Sequence, residues 1–91
     1  MKQFKKLISD NYKSTVNRGL INGRTTVTDF LVKLDEEVSE LNAMYSEDNE
    51  REELADVILT ILNYATHFNI DIVSAMEDKV LINQQRADLI D

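Results

Sequence analysis

The sequence predicts an all-α domain, and three observations support this prediction. The 91 residues include no proline and only two glycines, so few residues interrupt helix formation. Apolar residues recur at the spacing of amphipathic helices, and no stretch shows the sustained alternation of a strand. No linker, repeat or low-complexity tract divides the chain. We therefore expect a single domain over residues 1–91, organised as a bundle of four helices.

Apolar spacing and polar breaks place the four helices along the chain. The first should be followed by a loop that contains both glycines, and Thr25, Thr26 or Thr28 should cap the second. Polar residues 46–49 are expected to form a turn, and Asn69 or Asp71 to cap the fourth helix. The helices are expected over about residues 2–18, from the threonine cap to 45, over 50–68, and from the last cap to 86 or beyond.

Composition excludes several kinds of site. Without cysteine, the chain has no disulfide, no thiolate nucleophile and no cysteine-bound zinc or iron–sulfur centre. A single histidine rules out a histidine-rich metal centre. The formal net charge of −7 disfavours a nucleic-acid-binding surface, and no apolar run approaches the ~18 residues that a membrane span needs. We expect a cytoplasmic protein without nucleic-acid or membrane partners, in which metal chemistry would use oxygen ligands.

The negative charge is concentrated between Asp35 and Asp56, a stretch that contains ten acidic residues and one basic residue, an arginine. A charge run of this kind is most often a solvated face. On the wheel of the second helix, however, Glu37 falls inside the apolar arc and Glu40 lies at its edge. A carboxylate in an apolar arc costs stability unless something compensates.

The third predicted helix is apolar over well over half of its circumference. Such a helix must be buried on most sides, which is easiest if a second copy of the chain covers part of it. The remaining narrow strip is polar, and strips of this kind usually face a site or another chain. Its members are Glu53, Asp56, Thr60, Asn63 and His67.

Two carboxylate pairs can converge between the second and third helices. Glu37 and Glu40 are three residues apart, as are Glu53 and Asp56, so each pair projects from one helix face. A short turn between the helices would bring the pairs opposite each other. Four carboxylates would repel there unless protonated or neutralised, and Mg²⁺ or Mn²⁺ suits such a set.

The fourth helix contributes a set of hydrogen-bond donors. Lys79, Asn83 and Arg86 fall on the same line as apolar residues, so they are predicted to point inward and to bind phosphate oxygens. The alternative is that Lys79 and Arg86 pair with the many acids or extend from an interface into water.

These groups occur in a fixed order along the chain. The order is Glu36-Glu37-Val38-Ser39-Glu40, twelve residues, Glu53-Leu54-Ala55-Asp56, and then Lys79-x-x-x-Asn83-x-x-Arg86. It resembles the signature of MazG-like nucleoside triphosphate pyrophosphohydrolases, within the all-α NTP pyrophosphatase superfamily. The resemblance covers about Thr28 to Arg86, and the connection between the acidic pairs is short for the family.

The resemblance implies a fold, an assembly and a reaction. The fold would be a MazG-like four-helix bundle completed by oligomerisation, as a homodimer or homotetramer. The reaction would be the Mg²⁺-dependent cleavage of a nucleoside or deoxynucleoside triphosphate between the α and β phosphates, which yields the monophosphate and pyrophosphate.

The resemblance also implies roles for individual residues. Mg²⁺, or Mn²⁺ in its place, would be held by Glu37, Glu40, Glu53 and Asp56. Glu36 would orient or deprotonate the attacking water. The phosphates would be contacted, or the site closed in the oligomer, by Lys79, Asn83 and Arg86.

Two other functions stay open at this point. A related branch of the superfamily hydrolyses phosphoribosyl-ATP and has a similar length, although the set on the fourth helix favours the MazG pattern. The other alternative is a non-catalytic acidic module whose apolar third helix docks a partner. A di-iron carboxylate bundle is excluded, because it needs two Glu-x-x-His elements and the chain has one histidine.

Overall fold

The described part of the chain, residues 2–90, contains four helices and no strand. In this computed structural model side chains are described for residues 2–86. The helices are α1 (Lys2–Asn17), α2 (Val27–Asn42), α3 (Glu47–His67) and α4 (Ile72–Ile90). The predicted all-α class is confirmed for this range.

Side-chain caps fix where three of the helices begin. At α2, Thr26 Oγ1 accepts a hydrogen bond from the Asp29 N–H at 3.2 Å, and Asp29 Oδ2 accepts one from the Thr26 N–H at 2.9 Å. Ser46 caps α3 by accepting from the backbone of Asn49, and Asp71 caps α4 by accepting from the backbone N–H of Ser74. Asp71 was one of the two predicted caps for α4.

The predicted boundaries between α2 and α3 are wrong in two ways. The polar turn expected over 46–49 does not form, because Ser46 caps α3 at this position. The acids that follow Ser46 stabilise the first turn of α3 through the positive end of its helix dipole. Helix α2 ends at Asn42, which leaves Tyr45 outside the apolar arc and 85% exposed. The connection between the two helices is therefore short, as a helical hairpin requires.

Helix α3 is the central element, since it packs against both α1 and α2. Its inner face contributes Leu62 and Ala65 to a small core completed by Ile21 and Phe30. The Phe30 ring lies 5.2–5.9 Å, centroid to centroid, from three rings near the end of α3, within the range of favourable aromatic contacts. These rings belong to Tyr64, His67 and Phe68.

Buried polar contacts attach α1 to α3. Asn63, only 7% exposed, accepts a hydrogen bond from Asn11 Nδ2 at 2.9 Å and donates one to Thr15 Oγ1 at 3.1 Å. His67 lies 2.9 Å from the Tyr12 hydroxyl through Nδ1 and 3.0 Å from the Thr25 carbonyl through Nε2. Because Asn63 and His67 both have hydrogen-bond partners, their polar groups can be buried at little cost in free energy.

Helix α4 packs little against the other described elements. Helix α4 exposes Val80 and Leu81, and α3 exposes Leu54 and Ile58. Within one chain these four apolar side chains are not covered. No described helix combines the length and the apolar character needed to cross a membrane.

Replacement of Phe30 by alanine tests the aromatic core. Phe30→Ala should lower the free energy of unfolding by about 3–5 kcal/mol, because it removes a buried ring that three others contact. Urea denaturation followed by circular dichroism measures this change. Tyr45→Ala is the matched control and should change stability by less than about 0.5 kcal/mol. Equal losses in the two variants would contradict this assignment of the core.

Candidate metal centre

The packing of α2 on α3 brings the four predicted carboxylates together. One oxygen from each of Glu37, Glu40, Glu53 and Asp56 lies within 4.8 Å of the other three. We call these four residues the carboxylate cluster. Each helix contributes a pair three residues apart, so the convergence follows from helical spacing and a short connection.

Two members of the cluster each have one engaged oxygen and one unpartnered oxygen. Glu37, 6% exposed, accepts from Lys33 Nζ at 3.0 Å through Oε1, while its Oε2 is buried without a hydrogen-bond partner. Glu53 accepts from Asn49 Nδ2 at 3.2 Å through Oε1, and its Oε2 is likewise buried and unpartnered. A buried carboxylate oxygen without a partner carries a substantial desolvation cost, which a bound cation would offset.

Repulsion within the cluster changes how its members hold protons. The negative charge of Glu37 raises the pKa of Glu40, and desolvation and Glu53 raise it further. Desolvation raises the pKa of Asp56, with added repulsion from Glu37 and Glu53. The carboxylate cluster therefore has more negative charge than the neighbouring cations neutralise.

A cavity of about 370 Å³ adjoins the cluster. Glu37 and Asp56 belong to both, so a ligand in the cavity would reach two of the carboxylates. The walls combine apolar side chains with amides and two cations, Arg18 and Lys33, which is the usual make-up of a small-molecule site. The polar strip predicted on α3 faces this cavity through Asp56, Thr60 and Asn63.

Three residues of this site were missed by sequence reasoning. Asn49 and Lys33 each precede a cluster glutamate by four residues on the same helix, and that spacing could have identified them. Asn11 carries no comparable signal, because only the packing of α1 on α3 brings it to the cavity wall.

The other predicted site residues lie outside the cluster. Glu36 is exposed, and its Oε2 is 3.7 Å from Lys33 Nζ. Lys79, Asn83 and Arg86 are also exposed, contrary to the expectation that they point inward, because α4 packs little against the other helices of one chain. Among residues with described side chains, none forms a hydrogen bond or salt bridge with the side chains of those three.

Comparisons of the chain with models of known protein families, with curated proteins and with solved structures found no match. Four hard oxygen donors with two unpartnered buried oxygens fit a divalent cation such as Mg²⁺ or Mn²⁺.

The raised pKa values of Glu40 and Asp56 predict how the stability of the metal-free protein depends on pH. A carboxyl group with a raised pKa binds its proton more tightly in the folded than in the unfolded chain. The free energy of unfolding should therefore fall as pH rises from about 4 through those raised values. Glu40→Gln removes one contributor, so its melting temperature in EDTA should fall less between pH 4 and pH 7.5 than that of the wild type.

Asp35→Asn is the control for this experiment, because it removes an exposed α2 carboxylate outside the cluster. It should retain the pH dependence of the wild type. Identical pH dependence in Glu40→Gln and the wild type would contradict the electrostatic account of the cluster.

Proposed function

We propose that this protein is a metal-dependent nucleotide pyrophosphohydrolase. It would hydrolyse a nucleoside or deoxynucleoside triphosphate between the α and β phosphates, producing the monophosphate and pyrophosphate. The observation that carries the proposal is the convergence of four carboxylates, two of which keep a buried oxygen without a partner. The proposal also rests on the resemblance of the motif order to MazG-like enzymes.

The metal ligands in this proposal are the carboxylate cluster. Mg²⁺ bound there would neutralise phosphate charge and lower the pKa of a coordinated water. Glu37 and Glu53 would present their unpartnered oxygens inward, because Lys33 and Asn49 already engage the other oxygen of each. Glu40 and Asp56, both more exposed, would complete the ligand set at the side open to substrate.

The chain's other residues would bind the nucleotide and assist the attacking water. Glu36 would orient or deprotonate that water, whose oxygen bonds to phosphorus as pyrophosphate leaves. The cavity supports the proposal by offering amide and apolar walls to the nucleoside next to two cluster residues. No covalent nucleophile is required, which suits a chain without cysteine.

The proposed enzyme acts as a homodimer or homotetramer. Apolar side chains that one chain leaves uncovered on α3 and α4 supply the surface for this assembly. Lys79, Asn83 and Arg86 would contact the phosphates or close the site within the oligomer, a role consistent with their exposure in one chain.

The proposed reaction is tested by incubating the protein with each common NTP and dNTP, with and without Mg²⁺. Products are separated by ion-exchange chromatography. We expect monophosphate and pyrophosphate, formed only when the metal is present. Diphosphate and orthophosphate would indicate cleavage between the β and γ phosphates and would contradict the proposal. Turnover of phosphoribosyl-ATP alone would assign the protein to the related branch instead.

Substitution of the cluster tests whether it performs the reaction. Glu53→Gln and Asp56→Asn should each lower turnover by more than about 100-fold, because a neutral side chain holds the metal poorly. Circular dichroism should show that both variants remain helical. Glu52→Gln makes the same chemical change one position away from Glu53 and should keep most of the activity. Full activity in Glu53→Gln would rule out the cluster as the catalytic centre.

A further inference from the structure

Lys33 lies beside the carboxylate cluster and forms an ion pair with one of its members, Glu37. Among residues with described side chains, it is the only one that forms a salt bridge with a cluster carboxylate. Its Nζ lies 3.0 Å from Glu37 Oε1 and 3.7 Å from Glu36 Oε2. The positive charge of Lys33 therefore meets the most buried carboxylate of the cluster.

The two partners of this ion pair differ in their access to water. The Lys33 side chain is 53% exposed, whereas the Glu37 side chain is 8% exposed. A lysine ammonium on a flexible stem can move into water at little cost, and ion pairs with an exposed partner contribute little stability. Glu37 has no such freedom, because it is held in the packed interface between α2 and α3.

We propose that Lys33 is a tethered counter-cation that occupies Glu37 in the metal-free protein and is displaced when a divalent cation binds. In the metal-free state one ammonium lies beside four carboxyl groups, with Lys33 Nζ 3.0 Å from Glu37 Oε1. A divalent cation at the unpartnered Oε2 of Glu37 supplies more charge to the same carboxylate than the ammonium at Oε1 does, so the bond to Lys33 can be released. Lys33 therefore weakens metal binding to the free protein while stabilising the protein that lacks metal.

This inference rests on the proposed metal site but makes a separate prediction. Removal of the Lys33 charge should strengthen metal binding rather than weaken it. A residue with a merely structural role in the site would give the opposite result, since disruption of the site lowers affinity.

Isothermal titration of the metal-free protein with Mg²⁺, without nucleotide, tests the inference. Lys33→Met should lower the Kd for Mg²⁺ by about fivefold, the upper end of what an ion pair with one exposed partner contributes. Lys33→Arg retains the charge and should bind Mg²⁺ about as the wild type does. Lys6→Met is the matched control, because Lys6 also pairs with a carboxylate four residues away, Asp10, but on α1.

The outcomes of the titration separate the two proposals. Unchanged or weaker binding in Lys33→Met would overturn the counter-cation inference and leave the metal site intact. Equal tightening in Lys6→Met would also overturn it, since the effect would then reflect net charge alone. Failure of the wild type to bind Mg²⁺ at all would overturn the metal site itself.

A measurement on the wild-type protein avoids any dependence on the folding of a variant. Amine acetylation followed by mass spectrometry reports how readily each lysine side chain loses its proton and reacts as the free amine. Saturation with Mg²⁺ should increase the labelling rate of Lys33, because its bond to Glu37 is released, while Lys6 should be labelled at an unchanged rate. A Lys33 rate that does not respond to Mg²⁺ would contradict displacement.

Discussion

The repulsion among four carboxylates between α2 and α3 is the main constraint that the other interactions in this structure must offset. Packing these helices buries Glu37 and holds three other acids within 4.8 Å of it, a cost that only helix packing and a counter-charge can offset. Lys33 offsets it in part. A helical bundle chosen for stability alone would place an apolar residue at position 37, as its neighbours on the same arc do.

The rest of the fold holds this arrangement in place. Helix α3 lies between α1 and α2, so one helix carries half of the cluster, part of the cavity wall and the contacts to both neighbours. The Asn63 amide attaches α1 to α3, and the His67 ring attaches the loop after α1 to α3. Residues of α1 and of this loop form part of the cavity wall. Asn49 links the start of α3 to the site, because it stabilises the first turn and also orients Glu53.

Helical periodicity was sufficient to predict the helices and the convergence of the cluster, because both depend on local spacing. It placed Glu37 in the apolar arc, and Glu37 is buried. The helix boundary at Ser46 was missed because a serine before several acids reads equally well as a polar turn. The cavity and the role of Asn11 depend on how α1 packs against α3, which the periodicity of either helix alone does not specify. Lys79, expected to point inward, is exposed in one chain, because α4 packs little against the other helices.

Paramagnetic broadening by Mn²⁺ tests most directly whether the carboxylate cluster binds a divalent cation. In ¹H–¹⁵N spectra recorded with less than one equivalent of Mn²⁺, we expect amide signals near Glu37 and Glu53 to broaden first. Signals from the first half of α1 should persist. Uniform broadening, or broadening centred on the acids at the start of α3, would show that Mn²⁺ binds only as a loose counter-ion and would contradict the account.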